Sequence, residues 1–359
     1  MIIIYDGENM KDQNTPIPKR VYSKSTGFYA DTKKDFFDSN EALLIKAENQ
    51  NKFYTEQPPR TNCKICGHSL SSESDFTSHQ INYVFCNNCG HLNGANEDTK
   101  VFAEKLYIQE DGGDYAKNYI DNNFASRTEH IYTPKVNFLL THLNSNVRMK
   151  LLDVGCGAGY FVYAALLKGV DASGIDVSKS MIDFGNQNIS HLYKQSPLNH
   201  ASESEFFDTI ANSDATIISA IGVIEHLREP LEFFEAFQRS NAEYLFYSVP
   251  MFSFSVMLEN VFTDVFPRQL SGGHTHLFTE QSIEWLNLNR ELNSIAEWRF
   301  GTDIMDLYRS MSVKMTKMGA SLKFLNFLND GLGKNIDQLQ CVLDEKHFCS
   351  EIHCLSVKR

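Results

Sequence analysis

The chain has 359 residues, 42% hydrophobic and 22% charged, with a formal net charge of −12 at neutral pH. These are globular proportions, and the length suggests about two domains with extensions. The acidic balance argues against general binding to nucleic acid or anionic lipid. No stretch approaches the apolar length of a bilayer span. Asp6 cuts short the apolar start at Met1–Tyr5, so no secretory signal is read and a cytoplasmic protein is expected.

Residues 1–60 are polar, with prolines at 16, 18, 58 and 59. They read either as a loosely packed extension with one helix near 38–48 or as a partly disordered lead. Residues 61–95 hold two cysteine pairs and little else that could form a core. Residues 96–147 are expected to be a helical linker or cap. Val101, Phe102, Leu106 and Tyr107, then Ile131, Val136, Phe138, Leu139 and Leu140, recur near helical spacing, and Asp111-Gly112-Gly113-Asp114 breaks the stretch. From 148 to 359 strands and helices alternate, implying a parallel sheet covered on both faces. Strands are predicted at 150–154, 172–177, 215–220 and 244–249. The alternating run 351–357 is expected to close the sheet at an edge. Tyr160–Lys168 should be a helix stopped by Gly169, and Ser178 should cap the next one.

Of the eight cysteines, Cys63, Cys66, Cys86 and Cys89 form two copies of Cys-x-x-Cys-Gly-His. Two intervening residues let both sulfurs reach one ion, and the following glycine permits the left-handed turn that points amides at the thiolates. Two such knuckles supply four ligands, which predicts a closed, structural Zn2+ site. The alternative is that His68 or His91 replaces a neighbouring cysteine.

The segment Leu151-Leu152-Asp153-Val154-Gly155-Cys156-Gly157-Ala158-Gly159 joins a buried strand to a helix through residues that let a ligand approach the backbone. Asp176 ends the next strand, where its carboxylate can accept both hydroxyls of a ribose. A nicotinamide dinucleotide site would want Gly-x-Gly-x-x-Gly/Ala, and the last position of that pattern is Tyr160. The Gly-x-Gly-x-Gly spacing resembles motif I of class I S-adenosylmethionine (SAM)-dependent methyltransferases. Gly174–Ser178 with Met181-Ile182, Ile217–Leu227 with its Glu225-His226, and Ser248-Val249-Pro250 resemble further segments of that family, in the right order over about residues 120–300. The resemblance implies a doubly wound, Rossmann-like seven-stranded sheet with SAM as cofactor. It places Gly155 and its neighbours Asp153, Cys156, Gly157 and Gly159 at the methionine part, Asp176 and Val177 at the ribose, and Ala220 and Ile221 beside the sulfonium. The acid that often holds adenine after the third strand is lacking in Gln195–Asn199.

Methyl transfer is an in-line displacement that needs close approach and exclusion of water, and an alcohol or acidic carbon also needs a base. Ser271–Thr279 follows the fifth strand at the end of the sheet where ligands bind, so its His274 or His276 is a candidate base, or one of them bonds structurally to the sheet. Glu225 and His226 are further candidates, or Glu225 satisfies amides at a helix start. Arg127, Tyr115 and Tyr119 precede the core and could cover the cofactor. A cysteine-pair module ahead of such a core is similar to zinc-containing sugar C-methyltransferases. Glu297–Asp303 through Asp306–Arg309 resembles a segment of surface-polysaccharide methyltransferases. The resemblances imply a small-molecule, carbohydrate or nucleotide-sugar acceptor, with O-methylation ahead of C-methylation and no nucleic-acid partner. Two other readings remain: an enzyme whose zinc module docks a macromolecule, and a SAM-binding regulator without turnover. The sequence does not give the oligomeric state.

Overall fold

The computed structural model describes residues 17–27, 37, 39–107, 123–143, 149–190, 196–270 and 273–359. The readings placed on Asp111–Asp114, Tyr115 and Tyr119 lie outside these residues. Twelve strands run in chain order: β1 (Lys19–Tyr22), β2 (Phe76–Ser78), β3 (Ile81–Phe85), β4 (Leu92–Gly94), β5 (Lys150–Val154), β6 (Asp171–Asp176), β7 (Leu198–His200), β8 (Ile217–Ile221), β9 (Tyr244–Pro250), β10 (His276–Leu277), β11 (Leu292–Phe300) and β12 (Glu351–Lys358).

Eight of them form one sheet in the order β1-β11-β12-β9-β8-β5-β6-β7. The strands from β9 to β7 pair in parallel, while β12 runs antiparallel to both its neighbours. The central strands carry apolar residues at consecutive positions because helices cover both faces. Leu151, Ile217 and Phe246 point into one core cluster, and their chain neighbours Leu152, Ile218 and Leu245 into the other, as the period of two requires. The expected doubly wound α/β sheet is therefore present.

Three features depart from expectation. The run 351–357 does form a strand, but it lies inside the sheet between β9 and β11; Ile352 to Ser356 are all buried, so an edge position would have stranded them in water. The 1–60 lead supplies the actual edge strand, β1, parallel to β11, and a helix at Asn40–Thr55 longer than the one expected near 38–48. The cysteine segment also has more core than its composition suggested. β2, β3 and β4 form a second, antiparallel sheet whose fourth strand is β10, contributed from 185 residues away. Tyr54, Tyr83, Leu92, Phe102 and Leu277 pack there. In the 96–147 stretch, Lys100–Tyr107 is helical, and Phe124–Arg127, a π turn at Thr128–Tyr132 and Thr133–His142 form one helical run.

The segment that resembled surface-polysaccharide enzymes is an internal tie. Asp303 is fully buried and accepts from Ser253 Oγ (2.6 Å), Ser255 N and Oγ (3.0 and 2.8 Å), Ser350 N (3.0 Å) and Gln340 Nε2 (3.1 Å). Asp306 accepts from Ser255 Oγ and Arg268 Nε, both at 2.8 Å. These carboxylates pin the helices between β11 and β12 to the segment after β9. Asp303→Ala leaves several buried donors unmet and is expected to cost about 3 to 5 kcal/mol, read as a lower midpoint in urea unfolding. A midpoint like that of the parent protein would show that the tie carries no stability.

Candidate active site and cysteine centre

The loop after β5 holds Gly155, Gly157 and Gly159 at φ of +67°, +54° and +75°, a region closed to most side chains. At Gly155 a Cβ would also lie 2.6 Å from Val223 Cγ2. The loop's shape is held by Asp176 at the end of β6. Gly157 N donates to Asp176 Oδ2 and Ser178 N to Oδ1, both at 2.8 Å. The sequence therefore spaced the acid one strand away for a local reason as well: it organises the loop it faces. Burial raises the Asp176 pKa, and the two amides oppose that shift. Ser178 also caps the helix Lys179–Ile189, accepting from Met181 N.

Above this loop opens a cavity of about 570 Å³, within the range of small-molecule sites. Asp153, Gly155, Cys156, Gly157, Asp176, Val177 and Ile221 line it. Gly159 and Ala220 do not: Gly159 faces Leu198, and Ala220 is enclosed in the sheet. Asp153 lies beneath the loop, accepts the Ser219 hydroxyl at 2.6 Å and is pushed up to about 7 by burial, against the Ser219 hydrogen bond.

Sequence reasoning missed several lining residues. Lys135 reaches the cavity from Thr133–His142, and its Nζ is 3.8 Å from Glu351 of β12. Burial lowers its pKa while the Glu351 carboxylate raises it. Its position on an otherwise apolar helical face was the available signal. Phe206 and Phe207 line the cavity near the ends of β6 and β7, just after a capping box in which Glu205 bonds Ser202. Arg127 lies over the Tyr160 ring at 5.6 Å.

The four proposed catalytic residues divide. His226 lines the cavity. His274 stacks on it, with ring centroids 5.3 Å apart, and Glu225 is buried beside them, its Oε1 3.9 Å from His226 Nε2. Burial pushes Glu225 up to about 8. Burial also lowers His226 to about 3, with His274 adding to the shift, and His274 to about 4, so both imidazoles are neutral. Glu225 does not open an α-helix as one reading had it; it sits in a 3₁₀ turn at Ile224–His226, and the helix begins at Pro230. His276 is a correction. It is fully buried in β10, and its Nδ1 lies 2.7 Å from His91 Nε2, so it has no route to a substrate. The segment Gly273–Thr279 is likewise packed, not a free loop, and Ser271 and Gly272 lie outside the described residues.

The sulfurs of Cys63, Cys66, Cys86 and Cys89 lie within 4.8 Å of one another, with Cys63 Sγ 3.6 Å from Cys89 and Cys66 Sγ 3.4 Å from Cys86. A tetrahedron with 2.3 Å zinc–sulfur arms has edges of about 3.8 Å, so the four thiols fit the ion. The knuckles are near copies: Gly67 and Gly90 both have φ of +69°, and each donates its N–H to the carbonyl of the first cysteine, at 2.9 and 2.8 Å. Amides of Ile65 and Cys66 point at the Cys63 sulfur, and those of Asn88 and Cys89 at Cys86. His68 is exposed and His91 is engaged with His276, so neither takes a cysteine's place. The cysteines pack into the same core cluster as Leu152, Ile224 and Phe278.

Residues 124–297 match the family model described as a methyltransferase domain. The match spans just under half of the chain. Over 128 residues it is 27% identical to a ubiquinone biosynthesis O-methyltransferase of Haemophilus ducreyi, covering 32% of this chain and 51% of that protein. Over 122 residues it is 26% identical to the protein so named from Methylococcus capsulatus, covering 33% and 49%. The chain thus spans about half the length of the curated relatives it matches. A solved magnesium protoporphyrin IX methyltransferase from Synechocystis PCC 6803, with bound SAH, is similar at a TM-score of 0.46 and 11% identity, over 73% of this chain and 100% of that one. The matched region holds the glycine loop, Asp176 and the Glu225–His226–His274 cluster. Among the described residues no helix is long and apolar enough to cross a membrane.

Proposed function

We propose that the protein transfers the methyl group of SAM to a hydroxyl oxygen of a small molecule. The observation that carries this is the cavity itself: a side-chain-free loop and a carboxylate at one end, and a pair of neutral imidazoles in and beside the wall. Asp176 holds the ribose, Phe206 and Phe207 supply apolar walls for the purine in place of the missing acid, and Lys135 with Glu351 faces the charged end of the methionine. Ile221 and Gly222 flank the sulfonium. The sulfonium carbon is attacked in line by the acceptor oxygen, and the protein's contribution is to align the two and exclude water. The acceptor's proton is removed at the Glu225–His226–His274 cluster, where His226 meets the cavity. Both relatives are O-methyltransferases, which supports oxygen over carbon. The rim residues Glu104, Arg228, Glu229 and Glu232 suit a hydroxyl-rich acceptor, so a carbohydrate or nucleotide-linked sugar remains the reading for the substrate. The four cysteines hold a structural Zn2+ and leave it no open position.

The test is mass spectrometry of a panel of nucleotide sugars, free sugars and phenols incubated with isotopically labelled SAM. A labelled methyl ether is the expected product, and no labelled product from any of them would overturn the small-molecule reading. His226→Ala is expected to lower turnover at least about 100-fold while SAH binding persists. Turnover within a fewfold of the parent would remove the cluster from the chemistry.

A further inference from the structure

Two histidines meeting at a cavity wall usually compete for protons. The pair at His226 and His274 is arranged differently, because each ring is fixed by a backbone carbonyl. His226 Nδ1 lies 3.1 Å from Gly273 O, and His274 Nδ1 lies 3.0 Å from Gln269 O. A carbonyl can only accept, so in both rings Nδ1 carries the hydrogen and Nε2 carries the lone pair. This is the arrangement by which proteins orient imidazoles as metal ligands, the second nitrogen being tied to an acceptor. The third member is Glu225. Its residue is 5% exposed, and its Oε2 is buried with no hydrogen-bond partner. A buried carboxylate oxygen of this kind is costly unless something meets it. One nitrogen of each histidine and a Glu225 oxygen lie within 4.8 Å of one another.

From this geometry we infer that Glu225, His226 and His274 form a second metal site, separate from the cysteine centre, that takes a divalent first-row transition ion at the cavity wall. Two imidazoles and one carboxylate suit Mn2+, Fe2+, Co2+ or Zn2+ over Mg2+ or Ca2+, which prefer oxygen throughout. Lys64, whose charge reaches His226, is ion-paired with Asp98 and so does not repel the ion outright. Three protein ligands leave coordination positions toward the cavity. The inference rests on the methyl-transfer reading for its role. The ion would hold the acceptor through its oxygen and lower the pKa of its O–H, so that the cluster would act as a Lewis acid and not as a base, the proton leaving to bulk water before the methyl transfer. The O–CH3 bond then forms as the S–CH3 bond breaks, and the sulfonium leaves as the neutral thioether of SAH.

The experiment is a titration of the intact protein, shown by metal analysis to hold only one zinc per chain, with Mn2+ alone, followed by the electron paramagnetic resonance signal of the free ion. Mn2+ competes poorly for thiolates, so the cysteine centre does not confuse the count. Uptake of one Mn2+ per chain is expected. Glu225→Gln and His274→Gln are each expected to weaken it at least about tenfold with zinc content unchanged. Two substitutions guard against a variant that fails to fold, because either one that keeps its zinc and melts cooperatively suffices. No uptake by the parent protein at millimolar Mn2+, or unchanged uptake in a folded variant of each kind, overturns the site. SAH titrated into the same samples keeps the two ideas apart. SAH binding without Mn2+ uptake sinks the metal site alone, whereas failure of the parent protein to bind SAH sinks the cofactor reading.

Discussion

Cys89→Ala is expected to leave little folded protein. The reason is where the knuckles sit. Cys63, Cys86 and Cys89 are buried in one core cluster with Leu152, Ala220 and Phe234 of the main sheet and its helices. Loss of one thiolate leaves three, and the ion then either leaves or takes water into an apolar interior. Binding free energy of about 10 kcal/mol or more is characteristic of structural zinc sites, and it is comparable with the whole stability of a domain. The parent protein should contain about one zinc per chain by metal analysis, and a strong chelator should lower its melting temperature sharply. Cys341→Ala, at a half-buried cysteine remote from the cluster, should do neither. A Cys89→Ala variant that melts like the parent would show that the four thiols do not hold a stabilising ion.

Asp176→Ala is expected to abolish measurable SAH binding while leaving a folded chain. On the proposed reading the carboxylate holds the ribose, and it accepts from the Gly157 and Ser178 amides. Each charge-assisted hydrogen bond is worth about 1.5 to 3 kcal/mol, so losing two on the ligand side alone weakens binding at least about 100-fold. The released loop adds an ordering cost on top. Calorimetry with SAH measures the effect, and a dissociation constant within threefold of the parent would show that the ribose lies elsewhere. The zinc content should not change, since the Asp176 carboxylate bonds the glycine loop and Ser178 and not the cysteine knuckles.

The strands that line the cofactor end were legible because their signals are local. Leu151–Val154 and Ile217–Ile221 are short apolar runs with glycine just beyond, and the acid of Asp176 follows its strand directly. β11 was not legible. Its sequence, Leu-Asn-Ser-Ile-Ala-Glu-Trp-Arg-Phe, breaks the apolar run with Glu297 and Arg299, which are buried as an ion pair; Arg299 also bonds Glu280 at 2.5 and 2.9 Å. A sequence cannot show that two charges will neutralise each other inside a sheet. The histidines failed for a related reason. His274 and His276 are two residues apart and look equivalent in the chain. His276 enters strand β10 and meets His91, whereas His274 lies before that strand and stacks on His226, and that difference depends on partners far away in sequence.

The pairing of His276–Leu277 with β4 of the cysteine-bearing sheet also bears on engineering. Anyone wishing to transplant the cysteine module onto another catalytic body, or swap in a relative's, would be cutting through a hydrogen-bonded ladder instead of a tether. A workable chimera would have to carry the 273–279 stretch along with the knuckles, together with the Thr279 hydroxyl that reaches the Gly90 carbonyl. The functional seam of this molecule therefore does not coincide with any single cut in its primary structure.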